Sequence, residues 1–168
     1  DATTKPIIVY NIPPRAIVDV QPATLARLAE LPRIAGVKDA TGDLARPWVE
    51  RQLIKKPFAW LSGEDATAVA YNIGGGQGCI SVTANVAPKL VAEVQNLTLA
   101  GEWQAARELQ DKLIPLHQAM FAEPSPAGAK YAVSLLGLCS EECRLPVMPL
   151  SDATRERIRQ AMQALNLL

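Results

Sequence analysis

The sequence carries no excess of charge of either sign. Lys plus Arg number 17 and Asp plus Glu number 17, so nothing favours a nucleic acid or an anionic membrane surface as a partner. It has no apolar run long enough to span a bilayer, and its start does not read as a signal peptide. Histidine occurs once, at His117, and cysteine three times, at Cys79, Cys139 and Cys143. Three thiols cannot all pair. Cys139 and Cys143 lack the second ligand pair that a zinc site needs, with His117 far away in sequence, so no metal site is expected. Reduced thiols in a cytoplasm are the expectation. Low-complexity segments are absent too. The chain opens Asp1-Ala-Thr-Thr, without methionine, and the expectation is a fragment or a processed chain.

What is present is ordinary for a globular protein. The 168 residues are 49% apolar and 20% charged, enough for one domain with a sizeable core. Four short β-branched runs stand out, Pro6 to Tyr10, Ile34 to Lys38, Phe58 to Ser62 and Cys79 to Thr83. Each precedes a stretch of helical pattern: Gln21 to Leu31, Leu44 to Ile54 (with Trp48, Leu53 and Ile54 as its apolar positions), Asp65 to Ile73 and Ala87 to Leu99. Strand alternating with helix predicts parallel strands joined by right-handed crossovers. After Gly101 the pattern is all helix, with Trp103 to Phe121, Ala127 to Gly137 and Ser151 to Leu168 separated by Pro-rich joints. The Ser151-Asp-Ala-Thr start of the last helix carries capping residues. Residues 1–100 are therefore expected to form the β/α part and residues 101–168 a helical region. Four β/α units fit either an open doubly wound sheet or half of a (β/α)8 barrel.

Polar and glycine residues cluster just after each strand: Asn11 and Arg15, Lys38 and Thr41, Ser62-Gly63-Glu64-Asp65, and Thr83-Ala-Asn85. Those are the C-terminal strand ends, where both architectures place their sites. The Gly74-Gly-Gly-Gln-Gly78 run precedes a strand rather than following one, so it reads as a helix end and a tight turn, not as a phosphate cradle. Lys38 is the most telling residue. A lysine at the end of an apolar strand is partly stripped of water, which disfavours the ammonium, and a neutral amine can attack a ketone to form a Schiff base. A lysine in that place can also simply reach solvent, just as Tyr10 can be a core aromatic and Arg15 a solvated loop charge.

Four ordered motifs decide between these readings: Tyr10-Asn-Ile-Pro-Pro-Arg15, Gly36-Val-Lys38-Asp-Ala-Thr-Gly42, Ser62-Gly-Glu-Asp65 and Gly78-Cys-Ile-Ser-Val-Thr-Ala-Asn85. Together, and with Glu123-Pro-Ser-Pro126 and Arg144-Leu-Pro146 further on, the chain resembles the dihydrodipicolinate synthase family, the pyruvate-dependent lysine aldolases that include N-acetylneuraminate lyase. The resemblance covers nearly the whole chain, from about Lys5 on. It implies an α/β fold, the C-terminal half of a (β/α)8 TIM barrel of about four β/α units followed by C-terminal helices. It implies a Schiff-base lyase of lysine and diaminopimelate biosynthesis, with pyruvate and aspartate semialdehyde as substrates. No cofactor is implied, because the Schiff base is itself the electron sink. By the same resemblance Lys38 captures pyruvate, Tyr10 relays protons, Arg15 grips the carboxylate of the second substrate, and Gly63 and Ile80 line the pyruvate end, Ile80 through its backbone. Pro14 departs from the small residue more usual there. The family's other four β/α units, with part of its proton relay, have no counterpart in this sequence. The implied partners are therefore a missing N-terminal half of the barrel and further copies in a homo-oligomer, a homotetramer in the cytoplasm. Two rival readings keep their place: an aldolase using a sugar or sugar-acid aldehyde, and a non-catalytic half-barrel that binds or assembles.

Overall fold

A computed structural model describes residues 3–168 of the chain. Two compact units emerge, Asp1–Ile80 and Ser81–Leu168. The expected division at residue 100 follows element type. The division at Ile80 follows contacts, and it groups the helix after the fourth β-branched run with the helical part.

The first unit is a three-stranded parallel sheet in the order β1-β2-β3, from β1 Ile7–Asn11, β2 Ile34–Asp39 and β3 Ala59–Ser62. The connections are α1 Pro13–Ala16, α2 Pro22–Ala29 and α3 Arg46–Leu53, with α4 Ala68–Ile73 after β3. Pairing sets the faces. Tyr10 is opposite Lys38 and Lys38 opposite Leu61 in one row, with Ile8, Gly36 and Ala59 in the next row but one. Side chains alternate along a strand, so these rows share one face. Val9, Val37 and Trp60 fall on the other, where Val37 and Trp60 are buried with Leu25, Ala29, Ile34, Ile54, Phe58 and Tyr71. Each large side chain buried there contributes about 1.5–3 kcal/mol. The opposite face stays open, with Ile8, Tyr10 and Ile80 all exposed.

The fourth expected strand, Cys79 to Thr83, is reduced to a single parallel bridge between Ser62 and Cys79. Two hydroxyls account for this. Ser62 Oγ accepts the Glu64 N–H at 3.1 Å and donates to the Glu64 carbonyl at 2.9 Å, which turns the chain and ends β3. Ser81 Oγ accepts the Ala84 N–H at 2.8 Å, and the chain enters a 3-10 turn at Thr83–Asn85. Such local bonds compete with a ladder. The glycine run behaves as expected: α4 ends at Gly74, and Gly75 takes φ 96°.

α3 corrects its expected face. Trp48 and Leu53 are half exposed, as is Val49, while Arg46, Pro47 and Glu50 are buried; only Ile54, just beyond the helix, is buried as its pattern suggests. The polar stripe is tolerated because it finds partners. The Trp60 indole N–H donates to Glu50 Oε2 at 3.2 Å. Arg46 bonds Asp19 and the Val20 carbonyl.

The second unit is helical: α5 Pro88–Leu99, α6 Trp103–Met120, α7 Ala127–Leu135 and α8 Asp152–Ala164. Leu116, Ala119, Met120, Ala132, Ile158 and Met162 form its core. His117 is buried, with Nδ1 2.7 Å from Thr83 Oγ1, which makes it a structural residue. Ser151 caps α8 as the sequence suggested, its Oγ accepting the Thr154 N–H at 3.3 Å while donating to Glu123 at 2.7 Å. No helix among the described residues is long and apolar enough to cross a membrane.

Glu50 gives the first unit a pH dependence. Burial, with the nearby Asp39 carboxylate adding to it, pushes its carboxyl up from 4.5 to about 7. The folded chain then binds this proton more tightly than the unfolded chain between those values. Stability falls as pH rises through that window, and the loss is complete above it, on the order of 3 kcal/mol. Glu50→Gln keeps the shape and the acceptor for Trp60. Urea denaturation at pH 5 and pH 8 should show that the variant loses less stability across the interval and is the more stable at pH 8. Equal slopes for the two proteins would contradict a neutral Glu50.

Candidate active site

The site is built at the C-terminal ends of the three strands. Lys38, half-buried in β2, reaches across to its register partner, and its Nζ stands 4.1 Å from the centre of the Tyr10 ring. A cation over an aromatic face is held electrostatically. Tyr10 is 49% exposed on the open face of the sheet, so lysine and phenol are accessible together.

The turn after Lys38 is held by side chains bonding backbone. Asp39 Oδ1 accepts the Thr41 N–H at 2.8 Å, Thr41 Oγ1 accepts the Asp43 N–H at 3.1 Å, and Asp43 Oδ1 accepts the Ala45 N–H at 2.9 Å. Gly42, at φ 78°, supplies the left-handed corner. Asp39 points to the helix side, and burial raises its carboxyl pKa against the opposing Thr41 bond and Arg46 charge. Its carbonyl accepts the Gly63 N–H at 2.6 Å. A Cβ at Gly63 would lie 2.9 Å from the Ala40 Cβ and 3.0 Å from that carbonyl, so glycine permits the approach. The Ile80 N–H donates to the Ser62 carbonyl at 2.8 Å, which leaves the Ile80 carbonyl as the backbone group it can offer. The five predicted residues thus fall into two pairs and a single residue. Tyr10 and Lys38 touch, and Gly63 and Ile80 are tied to the neighbouring strand ends. Arg15 stands apart on the exposed single turn α1.

That turn is held from behind. Asn11, 3% exposed at the end of β1, donates from Nδ2 to Asp19 Oδ1 at 2.9 Å and to the Val20 carbonyl at 3.1 Å, and accepts the Val20 N–H at 3.1 Å. Arg46 pairs with Asp19 and donates to the same Val20 carbonyl at 2.9 Å. Burial pulls the Asp19 carboxyl up, but the bonds from Asn11 and Arg46 outweigh it and hold the group below its ordinary value. At the corner of the loop, Ile17 takes φ 64° with its side chain 86% exposed. For a β-branched residue that conformation costs on the order of 1–3 kcal/mol. Asp19, Arg46 and Glu50 escaped the sequence reading. A charged pair at i and i+4 of a helix reads as a solvated stripe, and only contact with Asp19 and Trp60 shows otherwise.

Cys79 is no competing nucleophile. Burial first, then the Asp65 charge, pushes its thiol up to about 12, far from the thiolate range. Among the described residues no three His, Cys, Asp or Glu side chains gather closely enough to hold a metal ion.

Parallel β/α units with a lysine at one strand end, facing a tyrosine at the next, place two polar side chains at the end of the sheet where β/α folds carry their sites. Comparison with known proteins makes the assignment specific. The family model for the dihydrodipicolinate synthetase family matches residues 1–165, and the chain belongs to that family. It is 57% identical over 168 residues to the 4-hydroxy-tetrahydrodipicolinate synthase of Ruegeria pomeroyi, and 55% identical to that of Cereibacter sphaeroides, covering 100% of this chain and 58% of each relative. Its backbone follows the dihydrodipicolinate synthase of Thermotoga maritima with TM-score 0.95 at 36% identity, covering 99% of this chain and 58% of that one. The chloride-inhibited enzyme from Acinetobacter baumannii, solved with pyruvate, gives 0.93 at 40% identity, covering 99% and 57%. The chain thus spans somewhat over half the length of its relatives, and its fold is half of a (β/α)8 barrel, about four β/α units, with C-terminal helices.

Gly36 tests the register that joins Tyr10 to Lys38. A Cβ there would lie 2.5 Å from the Ala59 carbonyl oxygen, 2.8 Å from the Ala59 Cβ and 2.9 Å from Ile8 Cδ1. Gly36→Ala must push the strands apart and should cost about 1–3 kcal/mol in urea denaturation. An unchanged midpoint would mean that the three strands do not meet in this register.

Proposed function

We propose that this chain supplies the catalytic half of a Schiff-base lyase that condenses pyruvate with aspartate semialdehyde to give 4-hydroxy-tetrahydrodipicolinate, a step of lysine and diaminopimelate biosynthesis. One observation carries the reading: the Lys38 ammonium lies 4.1 Å from the Tyr10 ring on the open face of the sheet, at the strand ends. The names of the similar enzymes support the same product, and one similar structure was solved with pyruvate.

In this reading Lys38 Nζ, once deprotonated, adds to the ketone carbon of pyruvate. Two proton transfers and loss of water leave an iminium. Tyr10 moves those protons, as a phenol can when substrate polarises it. The iminium draws electrons from the neighbouring methyl, which loses a proton to give an enamine. The enamine carbon attacks the aldehyde carbon of the second substrate, whose oxygen takes up a proton. The amine of that substrate then replaces Nζ at the former ketone carbon, closing the ring and freeing the lysine. The protonated imine is the only electron sink the sequence needs. Arg15, exposed on α1, suits the carboxylate of aspartate semialdehyde, because a guanidinium fork matches a carboxylate. Gly63 and the Ile80 carbonyl line the pyruvate end.

The open face of the sheet supports a partner layer, which we assign to the preceding four β/α units of the barrel. The exposed Trp48, Val49 and Leu53 on α3 support association of whole barrels, in the reading a homotetramer in the cytoplasm.

The test is a panel of aldehyde acceptors, run on the chain together with the preceding barrel units. Aspartate semialdehyde should be turned over, and Lys38→Ala should abolish turnover. Arg15→Ala should lower kcat/KM for aspartate semialdehyde by about 2–4 kcal/mol, the cost of losing one charged hydrogen-bonding partner, while pyruvate is still captured. An unchanged kcat/KM, with a sugar-acid aldehyde accepted as well, would move the protein to the sugar-acid aldolases.

A further inference from the structure

Arg15 needs a placement that its own element cannot supply. α1 is one turn of four residues with no buried member, and a turn that short has no stability of its own. The chain on either side of it is nonetheless locked. Before it, Asn11 is the last residue of β1. After it, Asp19 and Val20 return to the side-chain amide of that same asparagine, which uses both its donors and its acceptor on them. The amide pairs with the Val20 backbone as a strand would. A second lock comes from α3. Arg46, 7% exposed, reaches the Asp19 carboxylate and the Val20 carbonyl, and Gln21 Nε2 adds a bond to Asp19 at 2.7 Å. Between these fixed ends the loop must reverse within seven residues, from Ile12 to Val18. It does so with the α1 turn, closed by the Ile17 N–H on the Pro13 carbonyl at 2.9 Å, and with Ile17 forced left-handed. A β-branched residue keeps that conformation only where its surroundings over-determine it.

We propose that buried Asn11 and Arg46, with the half-buried Asp19 between them, form a hydrogen-bonded bolt that holds the strained loop shut and so fixes where Arg15 presents its guanidinium to the second substrate. They are positioning residues for the acceptor carboxylate, not for pyruvate, and the proposal rests on the reading of Arg15 given above. The strain at Ile17 and the bolt oppose each other. While the bolt holds, the strain is harmless. When the bolt weakens, the strain opens the loop and Arg15 drifts from its place.

Opposed forces of this kind are tested by weakening one and then relieving the other. Arg46→Lys keeps the charge but loses the fork that grips Asp19 and Val20 together. Ile17→Gly removes the strain at a largely exposed side chain, so it should fold whatever becomes of the bolt. The proteins are compared as the chain with its preceding barrel units. In Arg46→Lys the amides of Ile17 and Val20 should exchange with solvent at least about ten-fold faster, while those of β2 and β3 stay as they were. The KM for aspartate semialdehyde should rise about ten-fold, the equivalent of one charged hydrogen bond, with the rate of pyruvate capture at Lys38 unchanged. Ile17→Gly alone should leave KM within about two-fold. Added to Arg46→Lys it should bring KM back to within about three-fold of the parent, a rescue that a general loss of stability cannot give.

Unchanged exchange at Ile17 and Val20, or faster exchange through the whole sheet, overturns the bolt. So does a failure of Ile17→Gly to restore KM. Local loosening with an unchanged KM overturns the link to Arg15, and Arg15→Ala then shows where the fault lies: if it too leaves KM unchanged, the reading of Arg15 itself is wrong.

Discussion

The parallel pairing of β1 with β2 is the constraint on which the rest of the first unit depends. Because Tyr10 pairs with Lys38 and Asn11 with Asp39, one register does two things at once. It lays phenol and lysine side by side on the open face, and it turns Asn11 and Asp39 to the helix side. A slip of β2 by one residue would exchange its faces, turn the lysine toward Leu25 and Trp60, and expose Val37 and Asp39 on the open side. Gly36 guards this register, since the space between Ile8 and Ala59 admits no side chain.

Behind the open face lies a layer that is unusually polar for a sheet–helix interface. Three carboxylates of this layer, Asp19, Asp39 and Glu50, share the guanidinium of Arg46, which also meets the exposed Asp43 at 3.7 Å. Asp19 takes the guanidinium and the bonds of Asn11 and Gln21. Asp39 spends one oxygen on the Thr41 amide. Glu50, buried and bonded to the Trp60 indole, is left with the proton. Buried charge of this kind adds little net stability compared with packed apolar groups. Its return lies in geometry: the backbone on either side of the functional strand ends is held by directional bonds, not by contacts that can slide.

The strand ends were legible because two independent patterns agree there. β-branched runs with apolar alternation mark the strands, and the Gly36-Val-Lys38-Asp-Ala-Thr-Gly42 motif places a lysine and its turn residues where such a strand must stop. The structure explains that motif residue by residue, through Asp39, Thr41 and Gly42. Three features were not legible. The run from Cys79 reads as a strand by composition, yet the Ser62 and Ser81 hydroxyls bend the chain out of the ladder. α3 reads as amphipathic through Trp48 and Leu53, yet it buries Arg46 and Glu50, because their partners come from segments distant in sequence. The α1 turn, with two prolines and an arginine, reads as a loop. Its fixed placement shows only once Asn11 is seen to close on Val20.

The central claim is that Lys38, and no other lysine, is the nucleophile. Borohydride reduction in the presence of pyruvate, followed by peptide mass mapping, tests it most directly on the chain joined by its preceding barrel units. The account predicts one reduced pyruvate adduct, on the peptide that contains Lys38. It also predicts that Lys38→Ala carries none. An adduct on Lys5, Lys55 or Lys130 instead, or an absence of any adduct on a folded and complete barrel, would contradict it.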